Sequence, residues 1–172
     1  MSGAGSSTSN DGVLHEAVIM VLYVAVVEIA ELAALPEQHF AHGRVTGPVG
    51  SQLLALIWGT AIGLALAHWF AFGIAAPAFR GEHLGAGRIR VGIAQMGGAA
   101  FVAAVSSAPV LLLEDVRAQE FTGGVPAVLI GVVAFVIARR TGKPRAASLV
   151  YGVTALALGV LVASVKSTLA AH

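Results

Sequence analysis

Residues 13–35 read VLHEAVIMVLYVAVVEIAELAAL, an apolar run long enough to cross a bilayer, for which about 20 residues suffice. Glu28 and Glu31 interrupt it towards one end, and Glu16 stands near the other. Its twelve Val, Leu and Ile residues each favour insertion by about 0.3–0.6 kcal/mol, roughly 4–7 kcal/mol together. Two ionised carboxylates near the centre would cancel most of that, at about 2.5–3.5 kcal/mol each. The run is therefore expected to turn its acids towards partners inside a bundle rather than to stand alone in lipid.

The rest of the chain supplies such a bundle. Over 172 residues it is 57% hydrophobic and 11% charged, with a mean hydropathy of +0.85, whereas soluble domains carry about 25% charged residues. Four more apolar runs follow, separated by polar or Gly- and Pro-containing segments at 36–51, 80–90, 114–120 and 139–145. The pattern predicts an all-α integral membrane protein, a bundle of five transmembrane helices at about 13–35, 52–79, 91–113, 121–138 and 146–169. The fourth run is the shortest, and it spans only if it starts near Phe121 with Pro126 in its first turns. Residues 1–12 are rich in Ser and Gly and lack Lys and Arg. They read as a disordered tail rather than a signal peptide, ahead of a single transmembrane domain over 13–172.

Five spans put the loops after the second and fourth runs on one side. Those loops hold Arg80, Arg88, Arg90, Arg139, Arg140, Lys143 and Arg145, while the other side holds Arg44 and Arg117. Seven basic residues against two predict a cytoplasmic N-terminus and an extracytoplasmic C-terminus. A re-entrant fourth run would divide the two basic loops between the two sides, so the charge pattern favours five crossings. Abundant Ala, Gly and Val, with more Arg than Lys, fit a GC-rich bacterial genome and hence a bacterial cytoplasmic (inner) membrane.

Small residues recur at every fourth position on three runs: Ala55, Gly59, Gly63, Ala67, Ala71 and Ala75; Ala99, Ala103 and Ser107; Ala155, Gly159, Ala163 and Ser167. In lipid such stripes let backbones approach closely and gain dispersion contacts. They are expected to act as packing surfaces, and Gly59, Gly63 and Ala67 as a contact with a second copy or a membrane partner.

Depth along the five runs places Ser106, Ser107 and Lys166 in the same layer as Glu28 and Glu31. Pro109 cannot donate to the carbonyl of Val105, which leaves an acceptor beside the two serines. At 100° per residue, Glu16, Tyr23, Glu28 and Glu31 fall on one face of the first run, within an arc of about 140°. Together with His68, Gln95, Tyr151 and Thr154, these residues predict a polar path through the bundle. Such a path suits proton or small-cation permeation or coupling, with Glu28 and His68 as the titrating groups. The alternative is structural: Glu31 bridged to Lys166, Glu28 capped by serines and His68 bonded to a carbonyl, in a membrane accessory or assembly module. A lesser alternative is divalent-metal transport, with Glu37, His39 and His42 capturing the ion near the Glu28 and Glu31 pair.

Several classes are set aside by composition. The chain has no cysteine, which excludes disulfides and thiolate chemistry. There is no basic patch with interleaved aromatics, so no nucleic-acid partner is expected. No Walker A loop, GxGxxG after a strand, GxSxG or HExxH is present, and neither a cofactor nor an enzymatic activity is expected.

Overall fold

Once an apolar run has nucleated a helix, adding residues to its ends costs little, and the helices here extend past the apolar stretches that anchor them. The computed structural model describes residues 5–35, 40, 41, 44, 45, 48–80, 86–113 and 115–170. It contains α1 (Gly5–Leu32), α2 (Ser51–Arg80), α3 (Ala86–Leu112), α4 (Asp115–Arg140) and α5 (Arg145–Ala170). All five are long and apolar enough to cross a membrane, with apolar stretches of 18 to 24 residues. They fit a multi-pass membrane protein.

Helix ends differ from the sequence expectation in three places. α1 begins at Gly5, so residues 5–12, read as a tail, are helical. α3 takes in residues 86–90 of the basic loop and α4 takes in 115–120 of the acidic one. Polar side chains at a helix end can stay solvated while the backbone keeps its bonds, so low hydropathy marked the limit of the apolar stretch and not that of the helix. For α4 this places Pro126 well inside the helix instead of in its first turns, and gives a candidate span of 20 residues, Phe121–Arg140. The segment between α1 and α2 holds a minimal antiparallel ladder, β1 (Phe40–Ala41) against β2 (Arg44–Val45), with Phe40 opposite Val45.

α1 and α3 form the centre. They run parallel, since Glu16 meets Gln95 while Glu28 meets Ser106 twelve residues further along α1. Met20, Val24 and Ala25 of α1 and Ala99, Val102 and Ala103 of α3 belong to one buried apolar cluster. Gly98 permits the closest part of this contact: a Cβ there would stand 2.8 Å from the carbonyl oxygen of Ala17. α2 lies antiparallel on α3, with Trp58 bonded to Ser107 and Trp69 beside Gly92.

α4 and α5 form an antiparallel hairpin whose backbones meet at Gly131 and Gly152. A Cβ on Gly152 would lie 2.9 Å from the Gly131 carbonyl oxygen. The turn between them is a helix stop followed directly by a helix start. Lys143 N–H donates to Ala138 O and Gly142 N–H to Arg139 O, with Gly142 at φ 80°, the Schellman pattern with glycine in the left-handed position. Pro144 O then accepts the first bond of α5, from Ser148 N–H.

α1 touches all four other helices, whereas α2 has no extended contact with α4 or α5. Within the candidate spans 44% of α3 is buried against 22% of α2 and 17% of α5, which puts α2 and α5 on the outside. Large apolar side chains such as Phe70, Ile93, Leu112 and Val150 face outwards. Alanines, serines and a carboxylate are buried along with Met20, Leu53 and Ile57, an arrangement that suits a lipid surround.

The α3 stripe packs within the chain, and so does Gly159 of the α5 stripe. Ala99, Ala103 and Ser107 are buried, and Gly159 sits against Ile29, Ile130 and Ala127. The α2 stripe does not pack inside. Leu53, Ile57, Ala61 and Ala65 form the buried face of that helix, while Gly59, Gly63 and Ala67 lie about half a turn away, exposed. A Cβ on Gly59 or Gly63 would meet nothing within 4 Å.

Candidate functional site

Three helices are joined in pairs by side-chain hydrogen bonds in one layer of the bundle. Glu28 and Glu31, three residues apart, share a face of α1. Ser106 and Ser107 are adjacent on α3 and so point about 100° apart, which lets them serve different neighbours. Ser106 Oγ donates to Glu28 Oε2 at 2.6 Å, tying α3 to α1. Trp58 Nε1 donates to Ser107 Oγ at 3.1 Å, tying α2 to α3. Thr60 Oγ1 donates to Glu31 Oε2, tying α1 to α2. Each pair of the three helices thus carries one bond.

Glu28 is the most enclosed charged group among the described residues, 1% exposed. Its Oε2 is held by Ser106, but its Oε1 is buried with no hydrogen-bond partner among them. Glu31 is only half-buried and its Oε2 accepts from Thr60. The carbonyl of Val105, freed by Pro109, is used by neither serine. A hydroxyl has one proton to give; Ser106 gives it to Glu28 and Ser107 to Ala103 O at 2.7 Å. α3 continues through Pro109 to Leu112.

A second polar contact lies about 18 Å away along α1, at 1.5 Å per residue. There Gln95 Nε2 donates to Glu16 Oε2 at 3.0 Å, and Gln95 Oε1 is buried without a partner among the described residues. The remaining residues of the expected path are placed elsewhere. His68 is half-buried on α2, which has no extended contact with α5. Tyr151 and Thr154 are exposed on α5, and Tyr151 lies beneath the Lys143 ammonium, 4.8 Å from the ring centre. The single line of polar residues expected from depth is therefore split, because equal depth does not fix which way a side chain faces.

Lys166 lies on α5, but its side chain is outside the described residues, as are Glu37, His39 and His42. Among the described residues no three His, Asp or Glu side chains are grouped as a metal site would need. Thr60 and Trp58 are the site residues missed by sequence reasoning. A signal was available for Thr60, one of the few hydrogen-bonding side chains in an otherwise apolar run. Trp58 offered its indole N–H, which usually finds a partner when enclosed.

No family model matches the sequence, and no curated protein and no solved structure was found to resemble it.

Proposed function

We propose that this is a non-enzymatic multi-pass protein of a bacterial inner membrane that handles protons, or a small cation, at Glu28. The supporting observation is the half-satisfied carboxyl: one oxygen held at 2.6 Å by Ser106, the other buried with no partner among the described residues. A charge is costly to hold in that position, and a carboxylate with one hydroxyl is far short of the six or more oxygens that a calcium ion gathers. A proton is the species that such a pair accommodates with the least rearrangement. The seven-to-two distribution of basic residues supports a cytoplasmic N-terminus.

This reading narrows the site to Glu28 and Ser106, with Glu31 and Thr60 beside them. His68, Tyr151 and Thr154 have no part in it. Proteoliposomes loaded with a pH-sensitive dye test it: wild-type protein should support proton flux under an imposed gradient, and E28Q should abolish it. Flux of equal size in E28Q removes Glu28 from the role.

A second reading is favoured by the outward stripe on α2. Gly59, Gly63 and Ala67 are exposed, and Gly59 and Gly63 have open space beside them. In lipid that is the surface on which a second copy could approach closely, in an assembly module whose polar contacts serve only to hold the helices.

A further inference from the structure

Outside the Glu28 layer, a cleft of about 520 Å³ is bounded by α1, α4 and α5. Its walls are apolar, with Leu22 and Val26 on one side and Leu158 and Val162 on another. Only three lining residues are polar or charged, namely Thr141, Lys143 and Tyr151. All three belong to the α4–α5 turn or to the second turn of α5. The polar lining residues thus gather at one end of a cleft whose wall is otherwise apolar, and from Tyr151 to Val162 it follows α5 for about 16 Å at 1.5 Å per residue.

The charge at the polar end is strongly one-sided. Lys143 stands over the Tyr151 ring at 4.8 Å, and the Arg139 guanidinium donates to the Lys143 carbonyl at 2.7 Å. Arg140 and Arg145 are exposed in the same turn. No acidic residue occurs between Glu120 and the C-terminus. A cation held on an aromatic ring at the mouth of an apolar groove is placed to receive an anionic headgroup, while the groove receives its chain.

A second groove on the opposite face of the same hairpin provides a contrast. It measures about 310 Å³ and runs past Val132, Phe135, Leu149 and Val153, with no polar or charged residue in its lining. It offers a place for acyl chains but nothing for a headgroup.

We infer that the α1–α4–α5 cleft is a binding site for an anionic diacyl glycerophospholipid, with the phosphate at Lys143 and Tyr151 and an acyl chain along Leu158 towards Val162. The inference rests on the chain being a membrane protein and is independent of any proton chemistry at Glu28. The lipid would fasten the α4–α5 hairpin to α1 on the face where the cleft leaves them apart.

The test is native mass spectrometry of the full-length protein in mild detergent, with equal amounts of phosphatidylglycerol and phosphatidylcholine bearing the same chains. Wild type should retain phosphatidylglycerol in preference. K143Q should reduce that preference about fivefold, as expected for one cation near an anionic surface. L158W, which adds bulk to the cleft from an exposed position, should reduce retention of both lipids, while V132W in the uncharged groove should leave the preference in place. Equal retention of the two lipids by wild type, an unaltered preference in K143Q, or undiminished retention of both lipids in L158W overturns the site. Release of the protein from native membranes by alkaline carbonate would instead overturn the membrane reading on which it rests. E28Q should bind lipid as wild type does, which separates this site from the proton reading.

Discussion

Ser106 Oγ donates to Glu28 Oε2 at 2.6 Å, and it is the only polar partner of the most enclosed carboxyl among the described residues. The bond joins the two parallel central helices and leaves the other oxygen of the carboxyl without a partner among the described residues. S106A should therefore lower stability by about 0.6 kcal/mol, the average for hydrogen bonds between membrane helices, and by no more than about 1.7 kcal/mol. E28Q, which keeps an acceptor for Ser106, should lose less. Unfolding of the purified protein in mixed micelles measures both, and a larger loss in E28Q than in S106A would contradict this ordering.

Glu31 should be energetically coupled to Thr60, because the hydroxyl donates directly to its carboxylate. A double-mutant cycle of E31L and T60V, each of which removes one partner of the bond, is expected to return a coupling of about 0.5 kcal/mol or more, where independent sites add to within that amount. Strict additivity would mean that the bond between α1 and α2 contributes nothing to stability.

Two neighbouring glycines on α3 should respond in opposite ways. A Cβ at Gly98 would lie 2.8 Å from the Ala17 carbonyl oxygen, whereas one at Gly97 meets nothing within 4 Å. G98A should destabilise by about 1–3 kcal/mol through forced separation of α1 and α3. G97A should be neutral or slightly stabilising, since alanine favours the helix. Melting temperatures in detergent provide the comparison, and equal shifts would argue against close contact at Gly98.

The outward stripe on α2 makes the assembly reading testable without disturbing the core. Because a side chain at Gly63 enters open space, G63L should leave the melting temperature of the monomer unchanged. If a second copy docks there, cross-linking in liposomes will fall in G63L. A cross-linked dimer of wild-type abundance in that variant would remove this face as the interface.

The sequence by itself determined the five apolar helices, the basic turn at 139–145 and the presence of carboxylates that need company. Hydropathy and charge are properties of each segment alone, and a bilayer-length run such as 146–169 reads the same whatever its neighbours. Depth along the runs was also legible: Glu28, Ser106 and Ser107 were expected in one layer, and Glu28 and Ser106 do meet. Direction within that layer was not. Tyr151 and Thr154 turn outwards, and Thr60 supplies the bond to Glu31.

Only the tertiary structure decided which small-residue stripe faces inwards. Gly59 and Gly63 look like Ala99 and Ala103 in sequence, yet the first pair is exposed and the second buried. The reason is physical. Without a hydrophobic drive between helices in lipid, the rotation of each about its axis is set by close packing and by a few polar bonds, here Glu28 to Ser106, Trp58 to Ser107 and Gly131 against Gly152. Each of these unites residues at least 21 positions apart, from segments whose own composition says nothing about their partners.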